Sequence, residues 1–137
     1  MERSRDIGGV RSVVLLPVES GGVTPSLAST RGLEVELLYD LSSYTHKVSD
    51  VDGALLGEHT LKIATSIECD LFESEILSRG VVDGVAARVV LASGVVLLLG
   101  AEGCEMPLRL IERSTLSGET PQDRPRREWT FMCYSKP

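Results

Sequence analysis

Apolar and polar positions along this chain alternate with a period of two far more often than they recur every three to four residues, so the pattern predicts strands. In residues 33–39, Leu33, Val35, Leu37 and Tyr39 share one side, and Glu34 and Glu36 take the other. Residues 60–70 alternate in the same way, with Leu61, Ile63, Ile67 and Cys69 inward and Lys62, Ser66, Glu68 and Asp70 outward. Such a strand buries one face and wets the other. Residues 128–134 predict a last strand that places Trp129, Phe131 and Cys133 together. Residues 11–19 (RSVVLLPVE) form a continuous apolar run suited to burial on both faces, and Pro17 predicts an edge or a bulge at its far end. The sharpest pattern spans residues 85–99, where two apolar arms flank Ala92-Ser93-Gly94. A glycine ending a three-residue loop supplies the left-handed position that this hairpin needs. Residues 106–112 (MPLRLIE) predict one further strand.

Between these runs, residues 20–32 and 114–127 read as loops, and residues 40–57 as a longer polar connection containing three aspartates. Asp70-Leu71-Phe72-Glu73 fits a capping box and Gly80 a helix end, so residues 71–79 are either one short helix or a continued strand. Residues 1–9 read as a frayed N-terminus. No helix recurs between strands to make parallel crossovers. The expected fold is therefore a single all-β domain over residues 1–137, an antiparallel sandwich or barrel of six to seven strands.

Composition agrees with that size and class. A chain of 137 residues, 42% apolar, holds enough core for one domain. The core must be mostly aliphatic, because there are only one Trp, three Tyr and two Phe. Cys69, Cys104 and Cys133 are odd in number and far apart, without a C-x-x-C pair, and read as small hydrophobes in a reducing compartment. A net charge of −6 argues against a dedicated nucleic-acid surface. The one basic cluster, Arg124, Arg126 and Arg127, reads as a solvated turn with charges guarding the strand that follows. No apolar run approaches the ~20 residues of a membrane helix, and the stretch 13–18 is too short for a signal peptide. The expectation is a cytoplasmic chain, or one incorporated in a virion-type assembly, with neither membrane nor nucleic acid as partner.

Neither a glycine-rich phosphate loop nor a G-x-S-x-G elbow occurs. His46 and His59 are the only histidines; they read as surface groups and offer no metal-ligand spacing. Asp50 and Asp52 lack the remaining ligands of a calcium loop and read as part of a solvated turn. No catalytic, cofactor-binding or metal-binding residue is expected on these grounds.

Two resemblances add to this. Tyr39-Asp40-Leu41, Gly80-Val81-Val82-Asp83 and the later stretch 108–113 (LRLIER) resemble motifs of trimeric dUTP pyrophosphatases. That resemblance implies a nucleotide site at Tyr39, Asp40, Gly80 and Asp83, with Asp83 activating water. The family's P-R-S-G phosphate-binding segment and glycine-rich C-terminal arm have no counterpart here, so the implied catalysis would be impaired. The second resemblance covers the C-terminal half. Val89-Val90-Leu91-Ala92-Ser93-Gly94, Leu98-Leu99-Gly100, Pro107-Leu108-Arg109-Leu110, Ser117-Gly118-Glu119-Thr120-Pro121 and Trp129-Thr130-Phe131 follow one another in sequence. That order is similar to the order in small β-rich prophage proteins of the tail and head-completion type, and it implies a structural or assembly role. The strand at residues 95–99 is apolar on both faces, so it is expected either in the middle of a sheet or against a partner. The function expected is non-enzymatic: protein–protein contact or self-association, through an interface drawn from Val95, Leu97, Leu99, Trp129 and Phe131.

Overall fold

Eight strands arranged as two antiparallel four-stranded sheets make up the computed structural model, which describes residues 9–17, 32–38, 41–74, 77–78, 84–100, 107–117 and 125–135. The first sheet contains β1 (Val10–Pro17), β2 (Leu33–Val35), β5 (Val85–Leu91) and β6 (Val96–Leu99), in the order β2-β1-β5-β6. The second contains β3 (Ser43–Val51), β4 (Ala54–Ser66), β7 (Arg109–Leu116) and β8 (Arg126–Ser135), in the order β3-β4-β8-β7. The architecture is thus a sandwich, one of the two forms that the alternation allowed.

The core lies between the sheets and takes the inward residues of both. Val13, Leu15, Val85, Ala87, Val89 and Leu99 meet Leu61, Ile63, Trp129, Phe131 and Cys133. On β1 the continuous apolar run does what it predicts, since Leu15 and its neighbour Leu16 are both buried although they point to opposite faces. Pro17 lies beyond the three residues that β2 pairs, which spares a ladder a missing donor. At one corner Val85 and Leu108 exchange two 2.8 Å backbone hydrogen bonds, tying β5 to the start of β7. At the opposite end, the Leu38 amide donates to the Ala64 carbonyl at 2.8 Å and links the exit of β2 to β4.

The hairpin predicted at residues 85–99 is present as β5 and β6. Gly94 has φ +97°, and its amide donates to the Leu91 carbonyl at 2.8 Å, while the Leu91 amide donates to Val95. β6 is the edge of its sheet, so of the two placements expected for residues 95–99 the central one does not occur. Asp70 caps a 3₁₀ turn, Leu71–Glu73, by accepting from the Phe72 amide at 3.0 Å. Of the stretch 71–79, residues 71–74 and 77–78 are described, so the remainder of the helix-or-strand alternative lies outside the described residues. Residues 1–8 lie outside them as well; Gly9 already accepts a 2.9 Å bond from the Ala92 amide.

Two of the expected loops are shorter than the sequence suggested. Residues 40–57 are largely strand: β3 and the first part of β4 form a hairpin across Asp52 and Gly53. These two have φ of +52° and +86°, as the tight two-residue hairpin turn requires. The alternation was hidden because this hairpin is exposed on both faces towards its tip, leaving no apolar face to give the period amplitude. β7 likewise runs on to Leu116, because an edge strand with a register shift at Ile111 breaks the alternation halfway. Gly53 has nothing within 4 Å of where a Cβ would stand, so Gly53→Ala meets only the left-handed backbone cost. Its expected effect on a urea midpoint corresponds to about 1 kcal/mol.

Candidate functional site

Two places carry surface or chemistry that the fold itself does not consume. The first is the outer side of β6. Side chains alternate across this strand, so Leu97 and Leu99 turn towards the core while Val96 and Leu98 face outward. Leu99 is buried and Leu97 half-buried, whereas Val95, Val96 and Leu98 are 51%, 57% and 46% exposed. On β5, Val96 stands beside Val90 and Leu98 beside Arg88, so the outward patch holds one cation among aliphatic groups. Hydrogen-bonded pairs alternate along an antiparallel ladder. Because Leu91 bonds to Val95, the pairs at Val89/Leu97 and Ala87/Leu99 take the bonding positions, and the amides and carbonyls of Val96 and Leu98 point to the open edge. Natural edges commonly place Lys, Pro or a bulge at such positions. β6 is VLLL and has none of these.

The five residues expected at an interface thus separate. Val95 is exposed and Leu97 half-buried, but Leu99, Trp129 and Phe131 belong to the core, the last two with no exposed surface. Their alternation with Thr130 and Met132 is the pattern of a half-buried strand, which points an aromatic stripe inward. Val96 and Leu98 were missed because an arm that is apolar on both faces does not reveal which face turns out. Tyr39, Asp40, Gly80 and Asp83, the nucleotide site implied by resemblance, lie outside the described residues.

The second place is on the core-side face of β3, β4 and β8, next to the buried Cys133. Antiparallel registers put Tyr44 opposite Leu61, His46 opposite His59, His59 opposite Cys133, and Gly57 opposite Ser135. The His59 imidazole is held at both nitrogens: Nδ1 lies 2.7 Å from the Tyr44 hydroxyl and Nε2 2.7 Å from the Ser135 hydroxyl. The His46 ring stacks on it with centroids 4.4 Å apart and planes 4° from parallel. Of the two histidines, then, His46 is exposed as expected, while His59 is half-buried inside a hydrogen-bond chain. Burial, with His46 alongside, lowers His59 from its ordinary value, so the neutral ring is favoured.

A serine, a histidine and a third hydroxyl in series have the outline of an activated nucleophile. The electrostatics oppose that use. Acyl transfer charges the imidazole, and a carboxylate ordinarily stabilises that charge. Here the third group is the uncharged Tyr44, and the neighbouring ring is a second imidazole that opposes protonation. Ser135 is also only 8% exposed. The arrangement joins β3, β4 and β8 through side-chain bonds.

Of the basic cluster, Arg124 lies outside the described residues, and Arg126 and Arg127 make structural contacts. Arg126 pairs with Glu128 at 2.8 Å, and Arg127 donates to the Ile67 carbonyl at 2.9 Å and lies 3.6 Å from Asp70. Asp50 and Asp52 are exposed at and beside the β3–β4 turn. Among the described residues no three His, Cys, Asp or Glu side chains gather as a metal site, and no helix is long and apolar enough to cross a membrane. No family model, no curated protein and no solved structure matches this chain.

Proposed function

We propose that this protein is a non-enzymatic β-sandwich that works by protein–protein contact, pairing edge to edge with a second copy of itself through β6. The observation that carries the reading is the open strand edge with Val95, Val96 and Leu98 exposed along it. An edge of this kind is a template for one more strand. A two-fold axis through Leu97 sets Val96 of one copy beside Leu98 of the other, and both contribute outward backbone groups to the new ladder. Such an interface is self-complementary, as closed dimers require. The resemblance of the C-terminal half to tail and head-completion proteins supports the same reading, with the pairing serving as a contact within a larger assembly.

Light scattering across a wide concentration series, on the parent protein and on Leu98→Lys, tests this. Leu98 is 46% exposed in the single chain and stands beside Arg88, so at low protein concentration the lysine is expected to lower the urea midpoint only slightly while placing a charge in the joint. The expected result is association in the parent and at least a tenfold weaker constant in the variant, equivalent to about 1.4 kcal/mol. A parent that stays monomeric throughout, or a variant that associates equally well, overturns the proposal.

A further inference from the structure

The Tyr44–His59–Ser135 chain does nothing for the edge contact, yet its parts are placed with more care than a surface histidine needs. Three strands contribute to it: Tyr44 and His46 from β3, His59 from β4, and Ser135 from β8. Towards the tip from this point, the β3–β4 hairpin has little to hold it. Val48 and Leu55, which follow on the same face, are exposed, and so are Asp50, Asp52 and Gly53. Among the described residues, the cluster is therefore the outermost set of side-chain bonds joining the hairpin to the body of the sheet.

We propose that the stacked His46–His59 pair, clamped between Tyr44 and Ser135, is an acid-sensitive latch that fixes the base of the outer β3–β4 hairpin to the end of β8 and releases it as the stack takes up charge.

The hydrogen bonds permit one charge. Tyr44 and Ser135 present hydroxyls, which accept as well as donate, so a protonated His59 can donate from both nitrogens without breaking the chain. The stack does not permit two charges. Parallel rings 4.4 Å apart, one of them half-buried, bring like charges together where water screens them poorly. Among the described residues, the groups facing His59 are Tyr44 and His46 from β3 and Cys133 and Ser135 from β8, a set that includes no carboxylate. Lys47 and Glu58, 3.9 Å apart, lie on the opposite face of the hairpin, and Asp50 stands on the His46 face but beyond Val48.

The direction with pH follows from His59. Its value is lowered in the closed hairpin by burial and then by His46, and returns towards the ordinary 6.5 once the hairpin opens. Above that value both forms are neutral and the latch is at full strength. As pH falls through it, the open form takes up the proton more readily and the closed form loses ground. Histidine titration thereby places the change between neutral and mildly acid solution.

Hydrogen exchange on the whole chain, corrected for the intrinsic effect of pH, reads the latch directly. Peptides covering residues 46–59 are compared with those covering residues 85–91, at neutral pH and at about pH 5. The proposal expects protection over residues 46–59 to fall at least tenfold in acid while residues 85–91 keep theirs. His46→Gln removes the like charge from the stack but leaves the burial of His59, so it is expected to lose less protection than the parent at the lower pH. Ring-proton titration of the parent is expected to show His59 taking up its proton below the ordinary histidine value. The proposal is overturned by equal protection at both pH values, by an equal loss in His46→Gln, by parallel loss in residues 85–91, or by a His59 ring that titrates no lower than an ordinary imidazole.

Discussion

Trp129→Ala is expected to cost about 3–5 kcal/mol of folding stability, enough to leave a domain of ordinary stability marginal at room temperature. Trp129 is the largest buried side chain, has no exposed surface and sits across the sheet from Ile63. Its Nε1 donates at 3.1 Å to Thr65 Oγ1, itself buried, so the truncation empties a ring-sized volume and also removes a donor from a hydroxyl that water does not reach. The same ring is the platform for the side of the sandwich. Phe72 meets it edge-on with centroids 5.4 Å apart, and the Arg113 guanidinium lies 5.3 Å from the Phe72 centroid and 5.7 Å from that of Trp129. Asp70 caps the turn that delivers Phe72 and is flanked by Arg127 and Arg113 at 3.6 and 3.9 Å. Loss of the indole therefore undoes the packing of the turn as well as the core. Trp129→Phe keeps most of the packing and forfeits the hydrogen bond, for an expected cost of about 1–2 kcal/mol. Urea titration of the two variants side by side separates packing from hydrogen bonding.

Gly100→Ala is the second large effect, expected at about 2–4 kcal/mol from left-handed backbone strain and a damaged hydrogen-bond pair. Gly100 has φ +74°, and a Cβ there would stand 2.6 Å from the Leu108 amide nitrogen and 2.7 Å from the Val85 carbonyl oxygen. Those atoms form one of the two bonds of the Val85–Leu108 bridge, which ties one sheet to the other. The methyl must push the bridge apart or move the end of β6. Gly53→Ala is the control, since it shares the backbone conformation but opens onto empty space. A thermal scan placing Gly100→Ala well below Gly53→Ala assigns the difference to the bridge; equal midpoints would show that the bridge bears no load.

The parts of this fold that were legible in the sequence are those where a strand has one wet face or a turn has one permitted residue. Leu61 and Ile63 alternate with Lys62, and Gly94 closes a three-residue loop, so β4's inner half and the β5–β6 hairpin could be read directly. β3 could not, because only Tyr44 still packs on the core, while His46 and Val48 face the same side beyond its end. The Asp52-Gly53 pair was the available signal there, and it marks a hairpin with or without alternation around it. The exposed edge of β6 was legible only as a segment. Val95 to Leu99 is apolar throughout, and pairing with β5 alone decides that Leu97 and Leu99 turn inward while Val96 and Leu98 turn out. The hydroxyl chain on His59 was beyond reach, since Tyr44 and Ser135 stand 91 residues apart in sequence and meet only through the registers of two ladders.

The edge pairing of β6 is tested most directly by exchange at its own backbone. In a single chain the amides of Val96 and Leu98 point to the open edge and exchange quickly, while those of Val89 and Val90 on β5 stand within the sheet. Exchange followed by NMR at low and at high protein concentration is predicted to slow at Val96 and Leu98 as concentration rises, with the β5 amides unchanged. Equal, fast exchange at Val96 and Leu98 at both concentrations would contradict it.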